Sequence, residues 1–471
     1  MKIAGLDIGT TGCKLTVFDP DGKNLGHSYR DYPVKRGKSE HEVDAEAIMG
    51  SIMAGKYPDI AGIGVTSFGE TFVMADENGT PLHRAMLYID PRGKEECSGL
   101  LEKMDGKSIA SITGLKPHEM YSFCKIMWIK KNRPEIYGKA KHIFLMQDYV
   151  VFALTGRAQI DYSLATRTMA FDITSLKWSR EMFDLAGMVR PEISSATGLA
   201  QDTQIVSVSH DQIAAAVGAG VFDSDRAVDG AGTVECLTPI YDQIPELEVM
   251  YDGNYAVVPY VIPGKYVCYA FSYTGGALIQ WCVDTLAKKE KELAKEQGIS
   301  VNSLLEGDAD EPTGLLVLPH FAGAATPYMD TGSKGVIVGL TTDTTVSEIY
   351  RACMEGVVYE MMLNMECLED SGLHFEMLHA TGGGAHSKVW MQMKADMLNV
   401  PITALNTVDA GTVGSAMLTG IAVGCFRNLE DAAAHMVEKK EVYRPRQQMH
   451  EKYEEIYKRY RKLYKAVRPL M

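Results

Sequence analysis

The chain has no cysteine arrangement that would hold a disulfide framework or a metal. Its nine cysteines are an odd number, lie far apart in the sequence, and form no CxxC pair and no Cys/His ligand spacing. This pattern indicates reduced, mostly buried thiols. The opening residues also lack the apolar run and cleavage site of a signal peptide, so we expect a cytoplasmic protein.

Long apolar runs and an excess of positive charge are absent as well. No run of about 18 apolar residues occurs, which excludes a membrane-spanning helix of the usual length. The 47 Lys and Arg residues are outnumbered by 61 Asp and Glu, giving a formal net charge of −14. Because a negative chain repels nucleic acid and anionic membranes in general, we expect neither as a partner.

What remains is an ordinary globular composition, with 46% hydrophobic and 23% charged residues. A chain of 471 residues is longer than one hydrophobic core normally serves, so we expect two domains. Short apolar strands, such as residues 2–8 and "IAGIGVTSF", alternate with helical patterns, such as the one that follows Asp44. This alternation predicts the α/β class.

A Gly-Thr turn between two short strands occurs at the start of each half of the chain. The segment "IGTTGCKLT" at 8–16 aligns with "AGTVECLTP" at 231–239, and both contain a cysteine in the second strand. Such a turn exposes successive backbone N–H groups and a hydroxyl, which suits phosphate oxygens. A plain hairpin turn is the alternative reading for either copy taken alone.

Neither of the usual nucleotide fingerprints explains these turns. The "GKS" tripeptides at 37–39 and 106–108 lack the earlier glycine of a P-loop, and GxGxxG is absent from the first loop. Asp7 ends the first apolar strand, where a carboxylate needs water or a cation such as Mg²⁺. Lys14 on the return strand could add a positive charge to the phosphates.

Two further segments stand out near the end of the sequence. A glycine cluster in "HATGGGAHSKVWMQMKADML" at 379–398 lies between a buried strand and a helix, and could form a shelf for a planar ring or a close helix–sheet contact. The last segment places Tyr453, Tyr457, Tyr460 and Tyr464 on one face of a helix. We expect that face to pack on the body of the protein.

Five motifs in order resemble those of the FGGY carbohydrate kinases, which belong to the actin, hexokinase and heat-shock chaperone ATPase superfamily. They are "GLDIGTTGCKLTVFD", "SHDQIAAAVGAG", "GAGTVECLT", the long segment from "FAGAATPYMD" to "GVVYEM", and "TGGGAHSKVWMQMKADMLNVPI". The resemblance implies two tandem actin-like ATPase (ribonuclease H-like) domains at 1–222 and 223–471, each with a mixed central sheet and with the catalytic cleft between them.

The resemblance also implies the residues of an ATP-dependent sugar kinase. Asp211 would be the general base that takes the proton of an acceptor hydroxyl, and Asp7 would hold Mg²⁺. Without the resemblance, Asp211 would be read as a simple helix N-cap. The remaining ATP contacts would come from the two turns, from Lys14 and from the glycine shelf, with these members: Thr10, Thr11, Gly12, Lys14, Gly232, Thr233, Gly383, Gly384 and Ala385.

The acceptor site departs from the patterns of the two best-known subfamilies. At four positions of the acceptor site, xylulokinases typically have Gln-Met-His-Gly and glycerol kinases Gln-Arg-Glu-Thr. The resembling segment of this chain has Phe68-Gly69-Glu70-Thr71. Glu70, Thr71 and Gln212 match the glycerol kinase pattern. The space expected beside Gly69 favours an acceptor longer than three carbons, such as the ketopentose xylulose.

Other acceptor contacts and alternatives follow from the same resemblance. Asp90 and Arg92 occupy the family's Asp-x-Arg positions, and Tyr273 falls where an aromatic ring covers the acceptor; a loop ion pair and a core position are the alternatives. The resemblance leaves open a polyol kinase and a non-catalytic ATP-binding relative. The expected partner is a small sugar or polyol, and a homodimer is possible.

Overall fold

The computed structural model describes residues 1–37, 40–51, 60–188, 204–307, 310–407 and 409–471. Its class is α/β, as the sequence predicts. Within these residues, two large mixed sheets lie one in each half of the chain. The predicted helix after Asp44 is confirmed as far as Ser51, and its later part lies outside the described residues.

The strands β1 to β12 belong to the first half. Their bounds are Lys2–Ile8, Gly12–Phe18, Asn24–Asp31, Val34–Arg36, His41–Val43, Ile60–Ser67, Phe72–Ala75, Ala85–Met86, His142–Leu145, Phe171–Asp172, Lys177–Trp178 and Gln204–His210. The helices α1 to α9 have the bounds Ala45–Ser51, Lys94–Leu101, Gly106–Thr113, Ser122–Asn132, Pro134–Lys139, Met146–Thr155, Tyr162–Thr166, Arg180–Ala186 and Asp211–Gly218.

The strands β13 to β21 belong to the second half. Their bounds are Arg226–Ala231, Glu235–Tyr241, Ala256–Pro259, Tyr266–Ser272, Leu316–Leu318, Val336–Val338, Met377–Thr381, Ile402–Leu405 and Lys439–Tyr443. The helices α10 to α19 have the bounds Leu247–Asp252, Gly276–Thr285, Lys288–Gln297, Val301–Glu306, Val346–Leu368, Lys388–Leu398, Ala410–Ala422, Leu429–Met436, Gln447–Tyr460 and Leu463–Val467. Short 3₁₀ helices span Glu369–Ser371, Gly383–His386 and Arg468–Leu470.

The two large sheets share one strand order, which confirms the internal repeat. The first sheet runs β12-β6-β1-β2-β3, and the core of the second runs β20-β19-β13-β14-β16, with β21 and β15 added at its edges. In both, the hairpin that carries the Gly-Thr turn is antiparallel and its first strand pairs in parallel with a later strand, β6 or β19. The repeat therefore places the two turns at equivalent positions.

A helix of the second half packs on the first sheet. Helix α16 crosses α9 so closely that a Cβ at Gly414 would overlap the carbonyl oxygen of Ala214, and one at Gly218 would overlap that of Ala410. The same helix lies against β1, where the backbone of Thr412 touches Gly5. The predicted domain boundary at 222/223 falls between α9 and β13 and stays a prediction.

The remaining elements cover the sheets with apolar side chains. The predicted tyrosine stripe is confirmed for Tyr453, Tyr457 and Tyr460, which are buried against the second-half core on α18. It is wrong for Tyr464, which lies on the next helix, α19, and is half-buried. Tyr460 donates a hydrogen bond of 2.5 Å to Glu360, which anchors the C-terminal helix. In the part of the chain that the structure describes, no helix is both long and apolar enough to cross a membrane.

Removing the close contact between α9 and α16 should destabilise the fold. Gly414→Ala forces the helices apart or strains them, and overpacking of this kind costs about 1–3 kcal/mol. We expect a lower unfolding temperature, followed by circular dichroism. Gly99→Ala is the matched control, because Gly99 lies within α2 with no atom within 4 Å of its added Cβ. It should leave the protein as stable or more stable, and an equal loss in both variants would contradict this explanation.

Candidate active site

The first Gly-Thr turn is a tight backbone loop at the end of β1. Gly9 donates to the carbonyl oxygen of Gly12 at 2.9 Å, and Tyr32 closes the loop from the inner side through bonds to Thr11 and Gly9. Thr11 is exposed and Thr10 is half-buried. The turn therefore leaves the Thr11 side chain accessible to a ligand, whereas Gly12 is buried as the first residue of β2. The ligand contacts of Thr10, Thr11 and Gly12 stay a prediction.

The second turn is held by the start of α11. The amides of Gly275 and Ala277 donate to the carbonyl oxygen of Thr233 at 3.0 Å each, and Gly276 donates to Gly232 at 2.8 Å. Thr233 is exposed and Gly232 half-buried. With the carbonyls tied down in this way, the outward side of the turn remains available to a ligand.

The glycine shelf lies directly beside the second turn. Gly382 has φ +86°, and a Cβ there would lie 2.6 Å from the carbonyl oxygen of Ala231. Only glycine allows this approach. Gly383 has open space around it, Gly384 lies against Ala231 and Trp390, and Ala385 is buried. The predicted adenosine contacts are thus continuous with the second phosphate turn.

Asp7 has the features of a carboxylate prepared for a cation. Its Oδ1 atom is buried without a hydrogen-bond partner among the described residues. Burial raises the pKa of Asp7 well above its usual value, and the charges of Asp211 and Asp409 add to the rise, whereas Lys14 opposes it. Lys14 itself pairs with Asp409 at 2.7 Å. The predicted phosphate contact of Lys14 is therefore shared with an acid from the start of α16.

Asp211 is the first residue of α9 and lies near both Asp7 and Glu70. Burial raises the pKa of Asp211 to about 7, while the amide of Gln212, 2.7 Å from Oδ1, and the charge of Arg167 oppose the rise. Its side chain keeps 31% of its surface exposed. An accessible carboxyl that changes protonation near neutral pH can accept a proton from a bound hydroxyl.

Glu70 forms a buried ion pair that the sequence did not reveal. Arg167, at the end of α7, donates through Nε to Glu70 Oε1 at 2.5 Å, and its Nη2 contacts the same oxygen. Glu70 has φ +63°, an unusual conformation for a residue with a side chain. The guanidinium lies over the rings of Tyr121 and Tyr269, at 5.4 and 5.8 Å.

Polar atoms around this ion pair have no hydrogen-bond partner in the described part of the chain. They are Thr71 Oγ1, Tyr269 Oη and His210 Nδ1, all on buried residues. His210 Nδ1 lies 3.3 Å from Asp211 Oδ1, and burial with the nearby Arg167 lowers the pKa of His210 well below its usual value. Unpaired buried polar groups are costly, so a polar ligand is expected beside them.

Two aromatic side chains lie near the same region. Burial raises the pKa of Tyr88, and the charges of Glu70 and Asp211 contribute to that rise. Tyr273, predicted to cover the acceptor, is near enough to Tyr88 to be affected by it in turn. Tyr88 thus lies near Glu70 and Asp211, and Tyr273, from the other half of the chain, lies near Tyr88.

In the structure Asp90 and Arg92 form an ion pair with each other, and the backbone at Gly69 has close neighbours instead of open space. Asp90 is buried and its oxygens accept bonds from Arg92 and from the amide of His41, while Arg92 also pairs with Glu42 at 2.8 Å. The space expected beside Gly69 is filled: a Cβ there would lie 3.1 Å from His210 and 3.2 Å from Arg167. Gly69 thus makes room for Arg167, and that step of the argument for a longer acceptor is wrong.

Comparison with known proteins gives the family. The profile of the "FGGY family of carbohydrate kinases, N-terminal domain" matches residues 2–194, and that of its C-terminal domain matches residues 246–423. The chain belongs to the FGGY family of carbohydrate kinases, and it is an ATP-dependent kinase of that class.

This chain matches curated relatives and solved structures along nearly its whole length. The chain is 26% identical to a xylulose kinase of Bacillus subtilis (96% of this chain, 94% of the relative) and 30% identical to a glycerol kinase of Halorhodospira halophila (96% and 93%). A ligand-bound xylulose kinase structure from Lactobacillus acidophilus matches with a TM-score of 0.88 at 22% identity, covering 99% and 98% of the two chains. The last comparison supports the predicted two-domain fold.

Breaking the Glu70–Arg167 pair should be strongly destabilising. Arg167→Met leaves the Glu70 carboxylate buried and unpaired, which costs about 3–5 kcal/mol. The double variant Glu70→Gln/Arg167→Met should recover most of that loss, measured by urea unfolding. Arg180→Met is the control, because Arg180 pairs with Asp184 on an exposed surface, and it should unfold like the wild type. Equal stability of the single and double variants would contradict the buried pair.

Proposed function

We propose that this protein transfers the γ-phosphoryl group of ATP to a hydroxyl of a small neutral sugar, with a ketopentose such as xylulose as the favoured acceptor. The observation that carries the proposal is Asp211, which is partly exposed, has its pKa raised to about 7 by burial and lies near the Glu70–Arg167 pair. The xylulose kinases among the relatives and structural neighbours support the choice of acceptor.

In this proposal each element of the cleft has one role. Asp211 takes the proton of the attacking hydroxyl, and the two Gly-Thr turns hold the phosphates from opposite sides. Gly383, Gly384 and Ala385 hold the adenosine. A Mg²⁺ ion bound through water by Asp7 would neutralise charge on the phosphates, and the unpartnered Oδ1 of Asp7 fits this use.

The charges of the acceptor pocket favour a neutral ligand. One guanidinium, that of Arg167, is already paired with Glu70, and Asp211 is a second acid nearby. A sugar acid would bring a third carboxylate to this pair, and like charges at close range are unfavourable. The unpartnered atoms on Thr71, Tyr269 and His210 instead offer hydrogen bonds to hydroxyl groups. Gln212, Tyr273, Asp90 and Arg92 remain predicted acceptor contacts.

A polyol is the second candidate. Glu70, Thr71 and Gln212 match the glycerol kinase pattern, and glycerol kinases are among the relatives at 28–30% identity. Because Arg167 and His210 fill the space beside Gly69, the pocket does not gain length there. The choice between a ketose and a polyol therefore depends on a substrate panel.

The panel would contain pentuloses, hexuloses, polyols and aldonates, each with ATP and Mg²⁺, and ADP release would be followed in a coupled assay. We expect turnover with a neutral acceptor and none with an aldonate. Asp211→Asn should lower kcat by about 10²–10⁴, because it removes the base. Asp431→Asn, which changes a half-buried acid in the first turn of α17 that pairs with the exposed Arg427, should keep full activity. An Asp211→Asn enzyme with normal turnover would refute the assigned role, and the absence of any acceptor would favour the non-catalytic relative.

The activity should also depend on pH near neutrality. Asp211 acts as a base only when ionised, and its pKa is raised to about 7. We therefore expect kcat/KM to fall tenfold per pH unit below about 7 and to level off above it, provided Mg²⁺ and ATP stay saturating. A profile that stays level down to pH 5 would show that a different group, or none, carries the proton.

The cellular location and the oligomeric state of the protein are also proposals. The free cysteines found among the described residues suit the reducing cytoplasm. The homodimer considered for this chain stays a prediction, and sedimentation of the purified protein would test it.

A further inference from the structure

A fully buried charge cluster lies behind the second Gly-Thr turn. Lys394 Nζ is 2.9 and 2.7 Å from the two oxygens of Asp229 and 2.7 Å from Glu235 Oε1. The exposed fractions of the three side chains are 0%, 0% and 2%. All three N–H donors of the ammonium can thus be used inside the protein, although no solvent reaches them.

The three residues come from the elements that meet at the predicted ATP site. Asp229 lies on β13 before the turn and Glu235 opens β14 after it, so the two acids sit on opposite stems of the hairpin. Lys394 lies on α15, the helix that follows the glycine shelf. One ammonium therefore joins both stems of the phosphate turn to the helix behind the adenosine shelf.

Close contacts make this connection rigid. Trp390, one turn before Lys394 on α15, has its ring centroid 4.8 Å from the ammonium. A Cβ at Gly384 would lie 2.9 Å from both the Trp390 ring and the side chain of Ala231. The shelf, at Gly384, and the cluster, at Lys394, therefore share Trp390 as a neighbour, and the shelf and the turn share Ala231.

A gain in folding stability does not by itself explain such a buried charge cluster. Charges removed from water carry a large desolvation penalty, and apolar residues of similar volume often serve as well or better. The cluster also holds two acids against one base, and Glu235 Oε2 has no hydrogen-bond partner among the described residues. What the ion pairs add is direction, because each fixes a particular stem relative to α15.

We propose that Lys394 is a positioning residue for the nucleotide: by binding Asp229 and Glu235 it sets the distance between the second phosphate turn and the adenosine shelf. The inference rests on the proposed use of ATP. Its specific consequence is that loss of the cluster weakens nucleotide binding while the Glu70–Arg167 pair and Asp211 of the proposed acceptor site, in the first half of the chain, are unchanged.

The test uses ADP with Mg²⁺ as the probe, titrated by calorimetry into the full-length protein without acceptor. The variant Asp229→Asn/Lys394→Met removes the ammonium together with one acid, so that the net charge of the cluster is unchanged. Burial raises the pKa of the remaining Glu235 well above its usual value, which allows its neutral form in the variant. We expect its affinity for ADP to fall about tenfold, within the range by which coupled positions act. The KM for the acceptor, measured at saturating ATP, should stay within twofold of the wild type.

Two further variants separate positioning from general damage. Lys388→Met lies on the same helix but changes an exposed lysine paired with Glu441, and should bind ADP like the wild type. If the double variant does not fold, Glu235→Gln keeps the Lys394–Asp229 pair and should still weaken ADP binding by a smaller factor. Wild-type affinity in a folded double variant, or in Glu235→Gln when the double variant fails to fold, would overturn the inference. An equal loss of ADP and acceptor binding would also overturn it. A wild type that binds no ADP would instead refute the proposed function.

Discussion

The close packing of α9 against α16 fixes the geometry on which the cleft depends. Helix α9 begins with Asp211, and α16 is preceded by Asp409, which pairs with Lys14 on the first hairpin. The two helices meet at Gly414 and Gly218, where the backbone of each helix directly touches the backbone of the other. Because backbone contacts leave no side chain to adjust, Asp211 and the first Gly-Thr turn keep one relative position.

That arrangement brings several acids together with few cations. Burial raises the pKa of Asp7, the charges of Asp211 and Asp409 add to the rise, and Lys14 is the nearby cation that opposes it. A polyphosphate would be repelled by such a site unless backbone amides and a metal cation met it. The Gly-Thr turns supply the amides, and the unpartnered oxygen of Asp7 is where a cation would relieve the largest electrostatic cost. In the proposed function, Mg²⁺ bound with ATP would offset this surplus of acidic side chains.

Local patterns in the sequence predicted the parts of the site that local structure determines. The two turns, the repeat of strand order and the position of Asp211 at a helix start all follow from short segments, so periodicity and turn residues reveal them. Arg167 and Lys394 were missed because their partners are 97, 165 and 159 positions away. Gly69 shows the same limit: a missing side chain indicates space in the sequence, but only the fold shows that Arg167 fills it.

The side chains around the two Gly-Thr turns differ, although the strands that carry the turns have the same order in both sheets. Beside the first, Asp7 keeps an unpartnered oxygen and Lys14 remains partly exposed. Behind the second, both acids bind the ammonium of a fully buried lysine, so a cationic side chain already offsets their charge. A metal-bound phosphate is therefore expected on the side of the first turn, where Asp211 lies, and the adenosine on the side of the second. In the proposed function, this asymmetry would orient the nucleotide, with the phosphoryl group to be transferred next to Asp211 and the adenosine beside the closely packed second turn.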